Sequence, residues 1–144
     1  MPELEKLEKQ LPEITPYNKA YWDAAKRHEL TAYRCVNCGT FYSRVIHCVA
    51  CDNPKMDWVK VSGKGEVFTF GIYQQLYHPA WKNDIPYNVA WIKLDEGPLM
   101  LSNVVQCKNE DLFIGMPVEV VFEDINEEVT LPKFKPVKGA KAKK

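Results

Sequence analysis

Four of the five cysteines in this chain lie within seventeen positions, as two C-x-x-C pairs. The first pair is Cys35 and Cys38, and the second is Cys48 and Cys51. A tetrahedral zinc site takes four thiolate sulfurs at about 2.3 Å, and each C-x-x-C turn presents two of them from one loop. Four protein ligands leave no open position for water, so such a site is structural rather than catalytic. The spacing therefore predicts a zinc ribbon.

Other interpretations of these cysteines are weaker. Disulfides belong to oxidising compartments, and we find no secretory signal in the sequence. Redox chemistry needs only one C-x-x-C pair, usually at a helix start near a βαβ pattern. A rubredoxin-like iron site uses the same four thiolates, so ligand identity alone does not exclude iron, although zinc is favoured. His47 is interpreted as a bystander, and Cys107 as an ordinary half-buried residue.

Charge and length restrict the class of protein. The 144 residues carry 19 basic and 19 acidic side chains, so no net field directs the chain toward nucleic acid or a membrane. Its apolar runs are far shorter than the roughly 20 residues that a bilayer span needs. Together with reduced cysteines, this composition predicts a soluble cytoplasmic protein. The basic residues 138–144 are expected to form a disordered tail.

Two segments before the cysteines are predicted to be helical. Residues 3–11 place three leucines at helical spacing. Thr15 and Pro16 make a favourable helix start, so a second helix is predicted from Pro16 to Glu29. Trp22 and two tyrosines lie within six residues of that helix. They are expected either to pack on the ribbon and sheet or to contact a partner or ligand.

After the ribbon, which ends near Trp58, hydrophobic residues alternate with a period of two. This pattern predicts strands at residues 66–73, 89–95, 99–105, 117–123 and 128–136, with one capped helical turn at 109–115. In the first of these strands, Phe68, Phe70 and Ile72 are predicted to share a face. Gly71 is expected to mark a bulge or bend. Five short strands with a long first strand are typical of an OB-type barrel.

The predicted fold is mainly β with N-terminal α structure. It consists of two N-terminal helices, a rubredoxin-like zinc ribbon and a C-terminal five-stranded OB-type barrel. The predicted boundaries are 1–30 for the helices, 31–61 for the ribbon, 62–137 for the barrel and 138–144 for the tail.

OB barrels and zinc ribbons often bind single-stranded nucleic acid through a basic groove with aromatic side chains. Here the acidic residues of the barrel strands offset most of their lysines, and no basic stripe is readable. Binding of single-stranded nucleic acid is therefore kept as the alternative hypothesis, and nucleic acid is not the expected partner.

Several motifs, in their order along the chain, resemble those of the DUF35 family. They are the four cysteines with the aromatic helix before them, and residues 63–67, 85–90, 94–97, 114–122 and 131–136. The resemblance extends from about Tyr17 to Pro136. It implies a ribbon and OB barrel associated with acyl-CoA metabolism. It also implies a thiolase-type or related acyl-CoA enzyme as partner, in some cases with the protein bridging two enzymes or shaping a shared acyl-CoA channel.

The residues agree with an accessory rather than a catalytic role. The three histidines lie in three different contexts, and no Ser-His-Asp order, paired-carboxylate motif or glycine-rich phosphate loop is present. The chain is therefore expected to be a non-catalytic scaffold protein that binds an acyl-CoA enzyme and helps to bind or channel acyl-CoA.

An acyl-CoA ligand requires an apolar crevice for its acyl and pantetheine parts and arginine or lysine for its phosphates. The aromatic candidates are Trp22, Tyr77, Trp81, Tyr87 and Phe134. The basic candidates are Arg34, Arg44 and Lys82. Ordinary packing explains each aromatic residue at least as well as ligand contact does.

Overall fold

The structure is a computed structural model that describes residues 11–137, and the predicted first helix lies almost entirely outside this range. The described residues contain one α-helix, α1 (Lys19–Lys26), and two short 3-10 turns at Pro79–Trp81 and Asn109–Asp111. The strands are β1 (Thr31–Cys35), β2 (Phe41–Tyr42), β3 (Met56–Lys60), β4 (Lys64–Tyr73), β5 (Tyr87–Leu94), β6 (Leu99–Ser102), β7 (Pro117–Asp124) and β8 (Thr130–Pro136). No helix in residues 11–137 combines the length and apolar character needed to cross a membrane.

Helix α1 is shorter than the predicted second helix at both ends. Thr15 does not cap the helix, since the N-cap residue is Asn18, whose Oδ1 accepts from the Thr15 backbone N–H at 2.7 Å in a turn that precedes the first helical residue. At the other end, His28 has a φ of 59°, in the left-handed region that an α-helix cannot continue through. The helix is thus limited to eight residues. It buries Ala24 and Ala25.

The ribbon is a three-stranded antiparallel sheet with the strand order β2-β1-β3. Residues 56–60, at the end of the predicted ribbon, form β3 and pair with β1 along its whole length, from Thr31–Lys60 to Cys35–Met56. On its other edge, β1 pairs with β2 through Tyr33 and Arg34. Two strands therefore flank the strand that leads into the first cysteine pair.

The second sheet is five-stranded, antiparallel and curled, with the order β6-β5-β4-β7-β8. Its two ends meet at one parallel bridge between Val104 and Phe134. The backbone N–H of Val105 donates to the carbonyl of Phe134 at 2.7 Å. The predicted barrel is therefore present as a curled sheet, in which this short bridge after β6 joins β8. The third predicted strand ends at Ser102 rather than at residue 105.

The bulge in β4 lies at Phe68, not at Gly71 as predicted. The pairing with β5 runs from Val67–Ile92 directly to Thr69–Trp91, so one residue is extra. An extra residue reverses which side chains face the core. Val67 is buried before the bulge and Phe70 packs on the core after it, whereas Phe68 is half exposed. The expectation that Phe68 shares a face with Phe70 is therefore wrong.

The core of the curled sheet also includes residues from the ribbon. Leu30 and Ala32 belong to the same buried cluster as Val67, Ile92 and Phe134. The Val61 N–H also donates to the Leu30 carbonyl at 2.9 Å, where the ribbon leads into β4. The ribbon and the curled sheet therefore share one hydrophobic core.

Asn88 is a buried polar residue that holds the closing segment after β6. Its side chain donates to the carbonyl of Val104 at 2.8 Å and accepts from the N–H of Val104 at 2.7 Å. Both backbone groups of Val104 are thus satisfied at the residue that forms the bridge to β8.

We expect Asn88→Ala to lower the free energy of unfolding by about 3 kcal/mol, because it leaves both backbone groups of Val104 buried without partners. Denaturation in urea measures the change. Asn83→Ala at an exposed position is the control, and its effect should stay within about 0.5 kcal/mol. Equal stabilities of the two variants would show that Asn88 does not hold the closing segment.

Candidate functional site

The four cysteine sulfur atoms of the two C-x-x-C pairs lie within 4.8 Å of one another. Cys48 Sγ is 3.4 Å from Cys38 Sγ and 3.6 Å from Cys51 Sγ, and Cys35 Sγ is 3.5 Å from Cys51 Sγ. Four sulfurs at 2.3 Å from a tetrahedral ion would be about 3.8 Å apart. The sulfur atoms are thus already close to the positions that a metal ion requires, and the donor set fits a structural metal.

The two turns that carry these sulfurs share one hydrogen-bond pattern and one backbone conformation. The N–H of Gly39 donates to the carbonyl of Cys35 at 3.0 Å, and the N–H of Asp52 donates to the carbonyl of Cys48 at 2.8 Å. Gly39 and Asp52 both have a positive φ, 78° and 61°. A residue in this conformation directs the chain away after each pair, so that both sulfurs of a pair face the same side.

Neighbouring polar groups act on the thiols. The Tyr42 hydroxyl donates to Cys48 Sγ at 3.4 Å and lowers the pKa of that thiol to about 6. Asn37 also donates to Cys51 Sγ, at 3.5 Å, and favours its thiolate. Desolvation and the adjacent sulfurs outweigh that bond and raise the pKa of Cys51 to about 11. Thiols that must share one small site repel one another as thiolates, and a bound cation removes that repulsion.

His47 and Cys107, the other two residues that could bind a metal, lie outside this cluster. Among the described residues, the four cysteines are the side chains placed to hold a metal ion together, and the exposed His47 is not among them. Cys107 is partly buried against the core, and burial raises the pKa of its thiol. A raised pKa leaves Cys107 a poorer nucleophile, in agreement with an ordinary packing residue.

A groove of about 470 Å³ lies where α1, the ribbon and the curled sheet meet. It is lined by Asn18, Tyr21, Trp22, Ser43, Arg44, Val45, Trp58, Trp91, Met100 and Leu101. Three of the four tryptophans in the chain are among these residues. Its size and apolar character are typical of small-molecule sites in proteins.

The aromatic wall of the groove is held by contacts between elements. Tyr21 packs edge-on against Trp22, with ring centroids 5.0 Å apart, and lies 5.5 Å from Trp58 of β3. Trp58 Nε1 donates to the carbonyl of Tyr17 at 3.1 Å and so joins the ribbon to the start of α1. Burial raises the pKa of the Tyr21 phenol, which is therefore neutral.

The opposite wall is the outer face of the curled sheet. Trp91 of β5 and Leu101 of β6 are directly paired across the strands and are both exposed. The Ser43 hydroxyl donates to the carbonyl of Leu99 and fixes the ribbon loop above this face. Arg44, next to Ser43, is the basic side chain of the groove.

Trp22 contributes an unpaired donor to the groove region. Its Nε1 is covered from solvent and has no hydrogen-bond partner among residues 11–137. An unpaired buried N–H costs about 1–3 kcal/mol.

The other aromatic candidates form a second, separate cluster. The rings of Tyr73 and Tyr87 are stacked, with centroids 5.2 Å apart, and Trp81 lies 5.4 Å from Tyr87. Tyr77 packs edge-on against Tyr73 and is 72 % exposed. This Tyr73–Tyr77–Trp81–Tyr87 cluster lies at the ends of β4 and β5, and its residues do not line the groove.

The three remaining candidates, Phe134, Arg34 and Lys82, lie outside the groove. Phe134 is fully buried in the core and has no surface for a ligand. Arg34 is exposed on β1, with its guanidinium carbon 5.3 Å from the ring centroid of Phe41, and it does not line the groove. Lys82 is exposed after the 3-10 turn. Trp22 and Arg44 are thus the two sequence candidates that the fold brings together.

The sequence did not identify Trp91 and Leu101, the residues of the opposite wall, as site residues. Trp91 alternates with the buried residues Ala90 and Ile92, so the period of two already placed it on the outer face of β5. That signal identifies an exposed tryptophan but does not show that β6 and the ribbon loop border it.

Comparisons with known proteins agree with this architecture. Residues 22–57 match the family model described as the ChsH2 rubredoxin-like zinc ribbon domain, and residues 58–123 match the ChsH2 C-terminal OB-fold domain. A DUF35 domain-containing scaffold protein of Methanocaldococcus jannaschii is 38% identical over 79% of this chain and 86% of that protein. The chain belongs to the DUF35 family. The resemblance seen in the sequence motifs is confirmed.

Two further relatives of this DUF35 protein have names that refer to enzymes. A solved chain titled Ltp2-ChsH2(DUF35) aldolase is 32% identical, with a TM-score of 0.77 over 88% of this chain and 98% of that chain. A probable enoyl-CoA hydratase alpha subunit of Thermomonospora curvata is 32% identical over 87% of this chain. The DUF35 chain spans only 39% of the length of that subunit.

We expect Tyr42→Phe to weaken metal retention about tenfold, because it removes the hydrogen bond to Cys48 Sγ while the four sulfurs stay in place. Competition with a chromogenic chelator measures the retention. Cys48→Ser is the reference for full disruption, and it should also lower the melting temperature, because metal binding is part of the folding free energy. Identical metal retention in Tyr42→Phe and the wild type would show that the tyrosine does not act on the site.

Proposed function

We propose that this DUF35 protein is a non-catalytic accessory subunit that binds a thiolase-type or related acyl-CoA enzyme and contributes an apolar groove for the acyl-CoA ligand. The names of its relatives support an acyl-CoA-related accessory role, since they include scaffold proteins, a hydratase subunit and a complex with an aldolase. The four thiolates Cys35, Cys38, Cys48 and Cys51 hold a structural zinc ion in this proposal. We place the role in the cytoplasm, where cysteines stay reduced.

The observation that carries the proposal is the groove between the ribbon and the curled sheet. Its wall is apolar and aromatic, as an acyl or pantetheine chain requires, and Arg44 provides a positive charge for a phosphate or carboxylate. Trp22 adds a further aromatic surface to this wall. Tyr77 and Trp81 lie in the separate aromatic cluster, away from this groove, and the exposed Tyr77 is a candidate contact for the partner enzyme.

The charge pattern weighs against the alternative of nucleic-acid binding. Lys133 of β8 is paired with Glu123 of β7 at 2.6 Å, and Lys135 of β8 lies 3.6 Å from Glu119 of β7. Each of these lysines therefore has a carboxylate beside it on the neighbouring strand. A groove that binds single strands needs unneutralised basic groups along its length to displace counterions from phosphates.

Affinity purification of the tagged protein from its native source tests the accessory role. We expect near-stoichiometric recovery of a thiolase-type or other acyl-CoA enzyme that persists through gel filtration. Recovery of nucleic acid that dissociates at high salt, with no enzyme retained, would contradict the proposal and support the alternative.

A separate binding experiment tests the groove. We expect titration with a long-chain acyl-CoA to change the intrinsic tryptophan fluorescence, because three of the four tryptophans line the groove. Leu101→Asp should raise the dissociation constant at least tenfold, since it places a carboxylate on the apolar wall.

Leu76→Asp is the matched control, because Leu76 is also exposed but does not line the groove. It should bind acyl-CoA as the wild type does. If both variants bind alike, the groove is not the ligand site.

A further inference from the structure

One edge of strand β4 is open over half of its length. β4 pairs with β5 from Gly65 to Tyr73, but with β7 only from Lys64 to Glu66. The N–H and carbonyl of Val67 bond to Met116 and Gly115, just before β7. Beyond Val67, no strand among the described residues pairs with this edge of β4. The residues 69–73 therefore present a strand edge with polar backbone groups free to pair.

This open edge carries none of the charged residues or prolines that usually protect exposed strand edges. Natural sheets protect their edges with lysine, other charges or proline, which oppose pairing with another chain. Between Glu66 and Lys82 the sequence contains no Asp, Glu, Lys or Arg, and no proline before Pro79. Thr69, Gly71 and Tyr73 are exposed in turn along the edge, and a Cβ added at Gly71 would meet no atom within 4 Å. The edge is accessible, uncharged and rich in residues that favour β-structure.

We propose that this edge pairs with the same edge of a second copy of the chain, antiparallel about a two-fold axis at Gly71. Antiparallel pairing of a segment with itself places Thr69 opposite Tyr73 of the other copy and Gly71 opposite Gly71. A two-fold contact brings each side chain near its own equivalent, so a charge there would repel itself, and this segment has none. The balanced charge of the whole chain adds no long-range repulsion between copies.

Exposed apolar side chains flank the paired edge and extend the contact. Phe68 at the bulge is 50 % exposed and Ile114 is 69 % exposed. The N–H of Gly115, the residue after Ile114, donates to the carbonyl of Val67, so Ile114 lies near the start of the edge. Tyr73 and Tyr77 border the other end. A contact of this extent is small, so the dimer should be weak, with a dissociation constant on the order of 100 μM.

Sedimentation velocity from about 10 μM to 1 mM, the range of weak interfaces, tests this dimer. Gly71→Asp and Gly71→Lys each place two like charges face to face at the two-fold axis, and the open space at Gly71 accommodates both side chains in the monomer. We expect each variant alone to raise the dissociation constant at least tenfold. An equimolar mixture of the two should restore association, because opposite charges then meet.

Restored association in the mixture also shows that both variants are folded. The proposal is overturned if the wild type stays monomeric at about 1 mM. It is also overturned if either variant alone dimerises as the wild type does, or if the mixture does not associate. It does not depend on the acyl-CoA role, because this experiment uses only the chain itself.

Discussion

The convergence of four cysteine sulfurs within 4.8 Å is the constraint on which the rest of the site depends. The ribbon consists of three short strands, and a structure of that size buries too little apolar surface to be stable by itself. A metal held by four thiolates supplies the missing free energy, since it binds the folded arrangement and not the unfolded chain. The loop after β2 and the strand β3, which carry Arg44 and Trp58, flank the second cysteine pair, so the metal centre adds to the strand pairing and hydrogen bonds that hold them.

The curled sheet provides the other half of the groove through a different interaction. Asn88 satisfies both backbone groups of Val104 and so holds the segment that joins β6 to β8. That closure places the paired residues Trp91 and Leu101 on a firm outer face. Leu30 and Ala32 belong to the core shared with the sheet and fix the ribbon against it, so the groove between the two units keeps its shape.

Local signals in the sequence predict most of the fold. The C-x-x-C spacing locates the metal cluster, and alternation with a period of two locates the strands of the curled sheet. Alternation does not show where an extra residue enters a strand, so it put Phe68 on the wrong face, and the glycine at position 71 misplaced the bulge. It also does not distinguish core from surface among aromatic residues. Phe134, a ligand candidate, is buried, while Trp91 and Leu101 line the groove only because β5, β6 and the ribbon loop meet in three dimensions.

We propose that the metal-held ribbon forms one wall of an acyl-CoA groove in this DUF35 protein. Equilibrium dialysis with a long-chain acyl-CoA tests it most directly, performed on the protein as isolated, after removal of the metal by a chelator, and after addition of zinc. We predict at least a tenfold loss of affinity on metal removal and its recovery with zinc, since the wall that carries Trp58 and Arg44 is lost and restored with the metal. Unchanged acyl-CoA affinity in the metal-free protein would contradict the account.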